Sequence, residues 1–221
     1  GWESSLEAQQ PPRHQPVPRD EASHDAVVRL LLAAGASVNQ SSHTQATALH
    51  LAAGAGRLDA LKELLDAGAA VHARDLNKWS ALYHAAFAGS AGCTAEILRR
   101  GGCARAADRW GRTPLCWAAD GGHAGVVAAL LAAGARPDGE KKPQAAHLER
   151  HNDNVWMPPL HLAIRQGGGR VVRMLLDSRA DPRRRDQHGR TPWDVARAAG
   201  CDESLALLRE AGGEATPALV A

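Results

Sequence analysis

Apolar residues fall into two alternating patterns along this chain. The first is a short run, Thr47-Ala-Leu-His-Leu-Ala-Ala, which returns as Ser80-Ala-Leu-Tyr-His-Ala-Ala, Thr113-Pro-Leu-Cys-Trp-Ala-Ala, Pro158-Pro-Leu-His-Leu-Ala-Ile and Thr191-Pro-Trp-Asp-Val-Ala-Arg. The second places apolar residues at i, i+1, i+4 and i+5, as in Val27, Val28, Leu31, Leu32, then Ala60, Leu61, Leu64, Leu65, and again Val126, Val127, Leu130, Leu131. This spacing is one face of a helix and not the alternation of a strand. The patterns therefore predict pairs of short helices. Ala52, Ala85, Ala118, Ala163 and Ala196 keep the first helix of each pair thin, so that a neighbouring backbone can approach.

The pairs repeat at a fixed interval. Leu49, Leu82 and Leu115 are 33 residues apart; Leu115 to Leu160 is 45, which is 33 plus a 12-residue insertion, and Leu160 to Trp193 is 33 again. Gly35, Gly68, Gly101 and Gly134 keep the same count, Gly212 resumes it, and Arg179 occupies the slot between. Asp75, Asp108, Asp153 and Asp186 mark a third register. Thr or Ser followed by Pro or Ala reads as a helix N-cap followed by N1, where proline's missing N–H does no harm. The recurrent Gly stops the second helix in a left-handed conformation. Asp-x-x-Gly then forms a tight turn that projects outward.

A unit of helix, turn, helix and projecting finger carrying Thr-Pro-Leu-His-x-Ala resembles the ankyrin repeat. The resemblance covers residues 22–213 and implies an all-α ankyrin-repeat solenoid with β-hairpin fingers, held together by contacts between neighbouring units. It divides the chain into an irregular Pro-rich segment (1–21), a half-repeat (22–41), and repeats 42–74, 75–107, 108–152, 153–185 and 186–213, with a tail at 214–221. The third repeat carries the insertion at 139–152. Three departures stand out. The first unit lacks its first helix, because prolines fill that slot. Pro158 replaces the capping Thr, at a cost of about 1 kcal/mol. Arg179 in the Gly slot requires either a strained left-handed Arg or a different turn.

Composition narrows the function classes. The 221 residues are 44% apolar with only eight aromatics, and the formal charge is +2, with both signs spread along the chain. Nothing in this balance demands nucleic acid or an anionic membrane. The four cysteines form no CxxC pair and read as reduced thiols of a cytosolic or nuclear protein. No apolar run approaches the length of a membrane span. The chain opens on Gly1 and not Met, which leaves room for it to be a piece of something longer.

In the ankyrin family, partners bind to the finger tips and the exposed side of the first helices. Carried over to this chain, that surface comprises Leu76, Asn77 and Trp79; Arg109, Trp110 and Arg112; Asn154, Val155, Trp156 and Met157; and Gln187, His188 and Arg190. From the first helices it takes Phe87, Asp120, Arg165 and Gln166. Trp79, Trp110 and Trp156 are read as exposed anchors flanked by arginines, the residue types most enriched at interface hot spots. Each Trp has the alternative of packing along its neighbouring finger and merely stiffening it. A partner with acidic and apolar contact residues follows.

Other candidates carry less. His50 and His161 match the family's structural histidine, and Trp117 and Trp193 stand in slots expected to be core. Arg183-Arg-Arg185 is too short for a targeting or phosphate cluster. His147 and His151 in the insertion lack a third ligand. No nucleophile–base pair or phosphate loop emerges, so no catalytic residue, metal or cofactor is expected. The expectation is a monomeric, non-catalytic protein-interaction module, cytoplasmic and also nuclear, without nucleic-acid or membrane binding. The alternative is a substrate-recognition arm of a larger enzyme or ubiquitin-ligase assembly.

Overall fold

The computed structural model describes residues 21–140 and 157–213, with side chains from residue 26. A lone helix, α1 (Glu21–Ala33), is followed by five helix pairs: α2 (Ala48–Gly54) with α3 (Leu58–Asp66), α4 (Ala81–Phe87) with α5 (Ala91–Arg99), α6 (Pro114–Asp120) with α7 (Ala124–Ala132), α8 (Pro159–Gln166) with α9 (Gly169–Asp177), and α10 (Pro192–Ala199) with α11 (Asp202–Glu210). First helices pack on first helices and second on second, giving two rows that run the length of the array. Between them lies one continuous core. It contains the small residues Ala52, Ala85, Ala118, Ala163 and Ala196 and the second-helix residues Leu61, Val127 and Val172. No helix buries its apolar face alone, so the stack is the folding unit.

Helix ends follow the chemistry of their residues. Pro114, Pro159 and Pro192 occupy first-turn positions, where a missing N–H leaves no bond unmade. The hydroxyls at the N-caps are used less simply than expected. Thr191 accepts from the Asp194 N–H (3.3 Å), but the Thr47 and Thr113 hydroxyls turn to the side chain three residues on, His50 Nδ1 at 2.9 Å and Cys116 Sγ at 3.5 Å. Second helices stop at Gly35, Gly68, Gly101, Gly134 and Gly212 with positive φ, and Arg179 takes the same slot at φ 68°. The array thus keeps its turn at Arg179 and accepts a left-handed Arg. The fingers are tight turns and not extended hairpins. Among the described residues, the only bridge is between Ser41 and Thr47.

Neighbouring repeats are joined by one recurring buried bond. His50 Nε2 donates to the carbonyls of Ala73 and Trp79, both at 3.1 Å, at the base of the next finger. Its Nδ1 faces the Thr47 N–H at 3.1 Å. In the next repeat Tyr83 holds the slot, and its hydroxyl reaches the equivalent carbonyls of Ala106 and Arg112, the latter at 3.0 Å. His161 Nε2 reaches the Arg190 carbonyl at 3.0 Å. Its Nδ1, however, is buried without a partner, because Pro158 offers neither the N–H nor the hydroxyl that Thr47 provides.

Two predictions follow from this slot. Pro158→Thr supplies the missing donor and is expected to stabilise the array by about 1–2 kcal/mol, since an unmade buried hydrogen bond costs about that much. The readout is a higher urea midpoint at unchanged m-value. Burial holds the pKa of both His50 and His161 below 6.5. As pH falls below about 6.5 the unfolded chain takes up protons that the folded chain refuses, so stability rises with pH through that window. Urea midpoints measured from slightly alkaline to mildly acidic pH should fall, and His50→Gln should flatten the slope. A slope unchanged in the variant would remove His50 from the account.

Candidate functional site

Each described finger that begins with Asp is folded around that carboxylate. Asp75 Oδ1 accepts from the backbone N–H of Asn77 (2.8 Å) and Trp79 (2.9 Å). Asp108 Oδ1 accepts from Trp110 (2.8 Å) and Arg112 (2.9 Å), and Asp186 Oδ1 from His188 (2.8 Å) and Arg190 (2.9 Å). The turn needs a left-handed residue, supplied by Gly111, Gly189 and, against side-chain preference, Lys78 (φ 62°).

The second oxygen of each aspartate is left for side-chain partners, and those partners differ. Asp75 Oδ2 meets His84 Nε2 at 3.1 Å, and Asp186 Oδ2 meets the Arg190 guanidinium at 2.8 Å. Asp108 Oδ2 accepts from two indoles, Trp79 Nε1 and Trp117 Nε1, both at 3.3 Å. Burial pushes the pKa of each upward, and the partners decide the outcome. At Asp75 the His84 bond and the backbone N–H groups outweigh burial and hold the carboxyl below its usual range. At Asp186 the Arg190 contacts do the same. At Asp108 the side-chain partners are neutral, burial wins, and the pKa is pushed up. Three equivalent carboxylates thus diverge through their partners.

Around Asp108 the aromatic residues converge. Trp79 lies 5.0 Å from Trp117, 6.0 Å from Phe87, 6.2 Å from Tyr83 and 6.5 Å from Trp110, centroid to centroid. Phe87 and Trp117 meet edge-on at 5.5 Å. Arg109 lies over the Trp110 ring at 5.3 Å and Arg112 over Trp117 at 4.8 Å, within cation–π range.

This arrangement corrects the expectation of an exposed Trp79. Its ring is 5% exposed, because the residue sits on the returning leg of the finger, where its carbonyl accepts from both Asp75 and His50. The neighbouring rings cover it. Trp110 is half-buried, Phe87 is 43% exposed and Leu76 is 57% exposed. Trp117 was expected in the core, yet it is half-buried on the first-helix face, and Leu51 in the same slot is 60% exposed. Trp193 is partly buried against the core.

The remaining site residues scatter. The Asn77 carbonyl and Oδ1 accept from the Arg109 backbone and guanidinium, both at 3.4 Å. Arg165 pairs with Asp120 at 2.6 Å, and Gln166 is exposed beside it. Gln187 and His188 contact each other at 3.0 Å, beside Arg190. Met157 packs partly buried against the core and is not an exposed tip. Asn154, Val155, Trp156 and the histidines of the insertion lie outside the described residues. Sequence reasoning missed Leu51 and the gathering role of Asp108. The signal for the latter was an Asp followed nine residues later by a side-chain donor, as in Asp75–His84 and Asp108–Trp117.

These placements separate two tryptophans. Trp79→Ala is expected to destabilise the array by about 3–5 kcal/mol, as large-to-small changes at buried aromatics do. Trp110→Ala should cost under about 1.5 kcal/mol, the scale of an aromatic pair beyond its burial. Thermal or urea unfolding of the two variants tests this, and equal losses would refute the assignment of buried and surface roles.

Among the described residues there is no group of three metal-ligating side chains, and no helix is long and apolar enough to cross a membrane. None of the four cysteines is paired. No curated protein matches the chain. The family model for ankyrin repeats (3 copies) matches residues 21–75 and 49–141, and that for a single ankyrin repeat matches 157–187. With stacked helix pairs and more than half of its length matched, the chain belongs to the ankyrin repeat family.

Proposed function

We propose that this chain is a non-catalytic protein-interaction module, a scaffold or adaptor, which binds its partner on the face formed by the fingers and first helices of the first three complete repeats. The observation that carries this reading is the apolar surface left open there. Leu51, Leu76 and Phe87 are three of the six large hydrophobics exposed among the described residues, and Phe87 is backed by Trp79 and Trp117. Rigid aromatic side chains held in place by a buried network present area to a partner at little entropic cost. Arg109 beside Trp110 adds a second hot-spot type. A protein partner presenting acidic and apolar side chains fits this surface, in a cytoplasmic or nuclear setting, with the array acting as a monomer.

The opposite face serves as the control. Arg173 there makes a long pair with Glu210 at 3.9 Å and touches none of the aromatic cluster. Proteins captured from cell extract by the wild-type chain are expected to be lost on Phe87→Ala with Trp110→Ala, by about 30-fold or more for a true hot spot, and retained on Arg173→Ala. Retention by the first variant and loss by the second would move the binding surface to the other side.

A further inference from the structure

The charge left over on this face defines its partner more narrowly, resting on the reading just given. Carboxylates of the described fingers and first helices beside the aromatic cluster are already engaged. Asp75 holds His84, Asp108 holds two indoles, and Asp120 holds Arg165. Two cations are not matched in this way. Lys78 is exposed at its finger tip, and its ammonium makes no hydrogen bond or ion pair among the described residues. Arg109 is exposed, and its contacts are the Asn77 amide and the Trp110 ring, neither of which carries charge. The two fingers are adjacent, joined through the Arg109 N–H and the Asn77 carbonyl at 3.4 Å.

The aromatic faces narrow the choice further. Arg109 covers Trp110 and Arg112 covers Trp117, so a cation or a nucleobase seeking those faces meets a guanidinium already there. Leu76 and Phe87 remain open, and they offer contact to an apolar side chain. Covering Lys78 and Arg109 with a partner that supplies no anion costs desolvation without return.

We infer that the bound segment is acidic, with an aromatic or branched aliphatic anchor set against Phe87 and Leu76 and flanking Asp or Glu side chains on Lys78 and Arg109. Anchor and carboxylates lie within one or two residues of each other, because the two fingers are neighbours. Electrostatic attraction sets the register and the burial of the anchor supplies the affinity. A nucleic acid is the less favoured occupant. Two cations neutralise few phosphates, and the Trp110 and Trp117 rings already carry guanidinium groups.

The test is selection of a random linear peptide library displayed on phage against the immobilised full chain, followed by fluorescence anisotropy of the winning peptides. Winners should carry Phe, Trp, Leu or Ile with Asp or Glu within two positions. Lys78→Glu with Arg109→Glu should weaken them at least about tenfold, the low end for close charge pairs, and Lys78→Gln with Arg109→Gln should do so to a lesser degree if the reversal perturbs folding. Neutral or basic winners overturn the inference, as does tighter binding of a labelled oligo-dT strand than of any peptide. Winners lost on Phe87→Ala but indifferent to both charge variants overturn it while leaving the binding face standing. Winners indifferent to Phe87→Ala as well overturn both.

Discussion

A side chain on a first helix reaching the carbonyls of the next finger, as at His50, Tyr83 and His161, is the contact on which the rest of this array depends. Helix packing alone brings repeats together through small residues, and alanine against alanine carries little directional information. The bond from His50 to Ala73 and Trp79, repeated by Tyr83 at Ala106 and Arg112, fixes how far each finger is rotated over its neighbour. Tyrosine achieves this without a titratable ring, since burial pushes its hydroxyl pKa up and keeps the proton in place. The histidine does so only while neutral. One geometric role is thus filled by two chemistries with different sensitivity to acid.

Because the fingers are fixed in this way, their aspartates become a second organising layer. One oxygen closes the turn and the other is free to recruit a side-chain donor from the adjacent first helix, from the same finger or from the finger before it. With His84 or Arg190 as partner the carboxylate is stabilised as an anion. With two indoles it instead assembles an aromatic wall. The apolar surface offered to a partner is therefore built on a buried polar centre, which explains how tryptophans can stand beside fingers without collapsing onto one another.

Most of the fold was legible because the repeat imposes it. The interval between Leu49, Leu82 and Leu115, the helix-stopping glycines and the finger aspartates each have a local physical cause, and local causes survive in sequence. The fine placement of the site did not follow. Trp79 lies between the finger aspartate and the next helix, so counting alone puts it on the tip; its burial depends on rings thirty and more positions away, which no single repeat reveals. Trp117 was assigned to the core because Leu51 shares its slot, yet Leu51 itself is exposed. An apolar residue on a helix this short is not proof of an inward face. The unpartnered Nδ1 of His161 was likewise hidden, since Pro158 reads as a lost cap while its effect falls on the histidine three residues on.

Cys116 occupies the His50 and Tyr83 slot, and among the described residues its only polar contact is with Thr113, inside its own repeat. Among the described residues the forward bond made by His50 and Tyr83 therefore has no counterpart at Cys116, and the third and fourth complete repeats are linked by helix packing, by the Arg165–Asp120 pair and by the Asp181 N–H bond to Asp138. The extra residues in the sequence fall in this same repeat, whose slot holds a thiol in place of the imidazole or phenol. Lengthening the finger after His50, Tyr83 or His161 would pull a buried donor away from its acceptors. A solenoid of this kind lengthens a finger at least cost where no side chain of the preceding first helix is bonded to it.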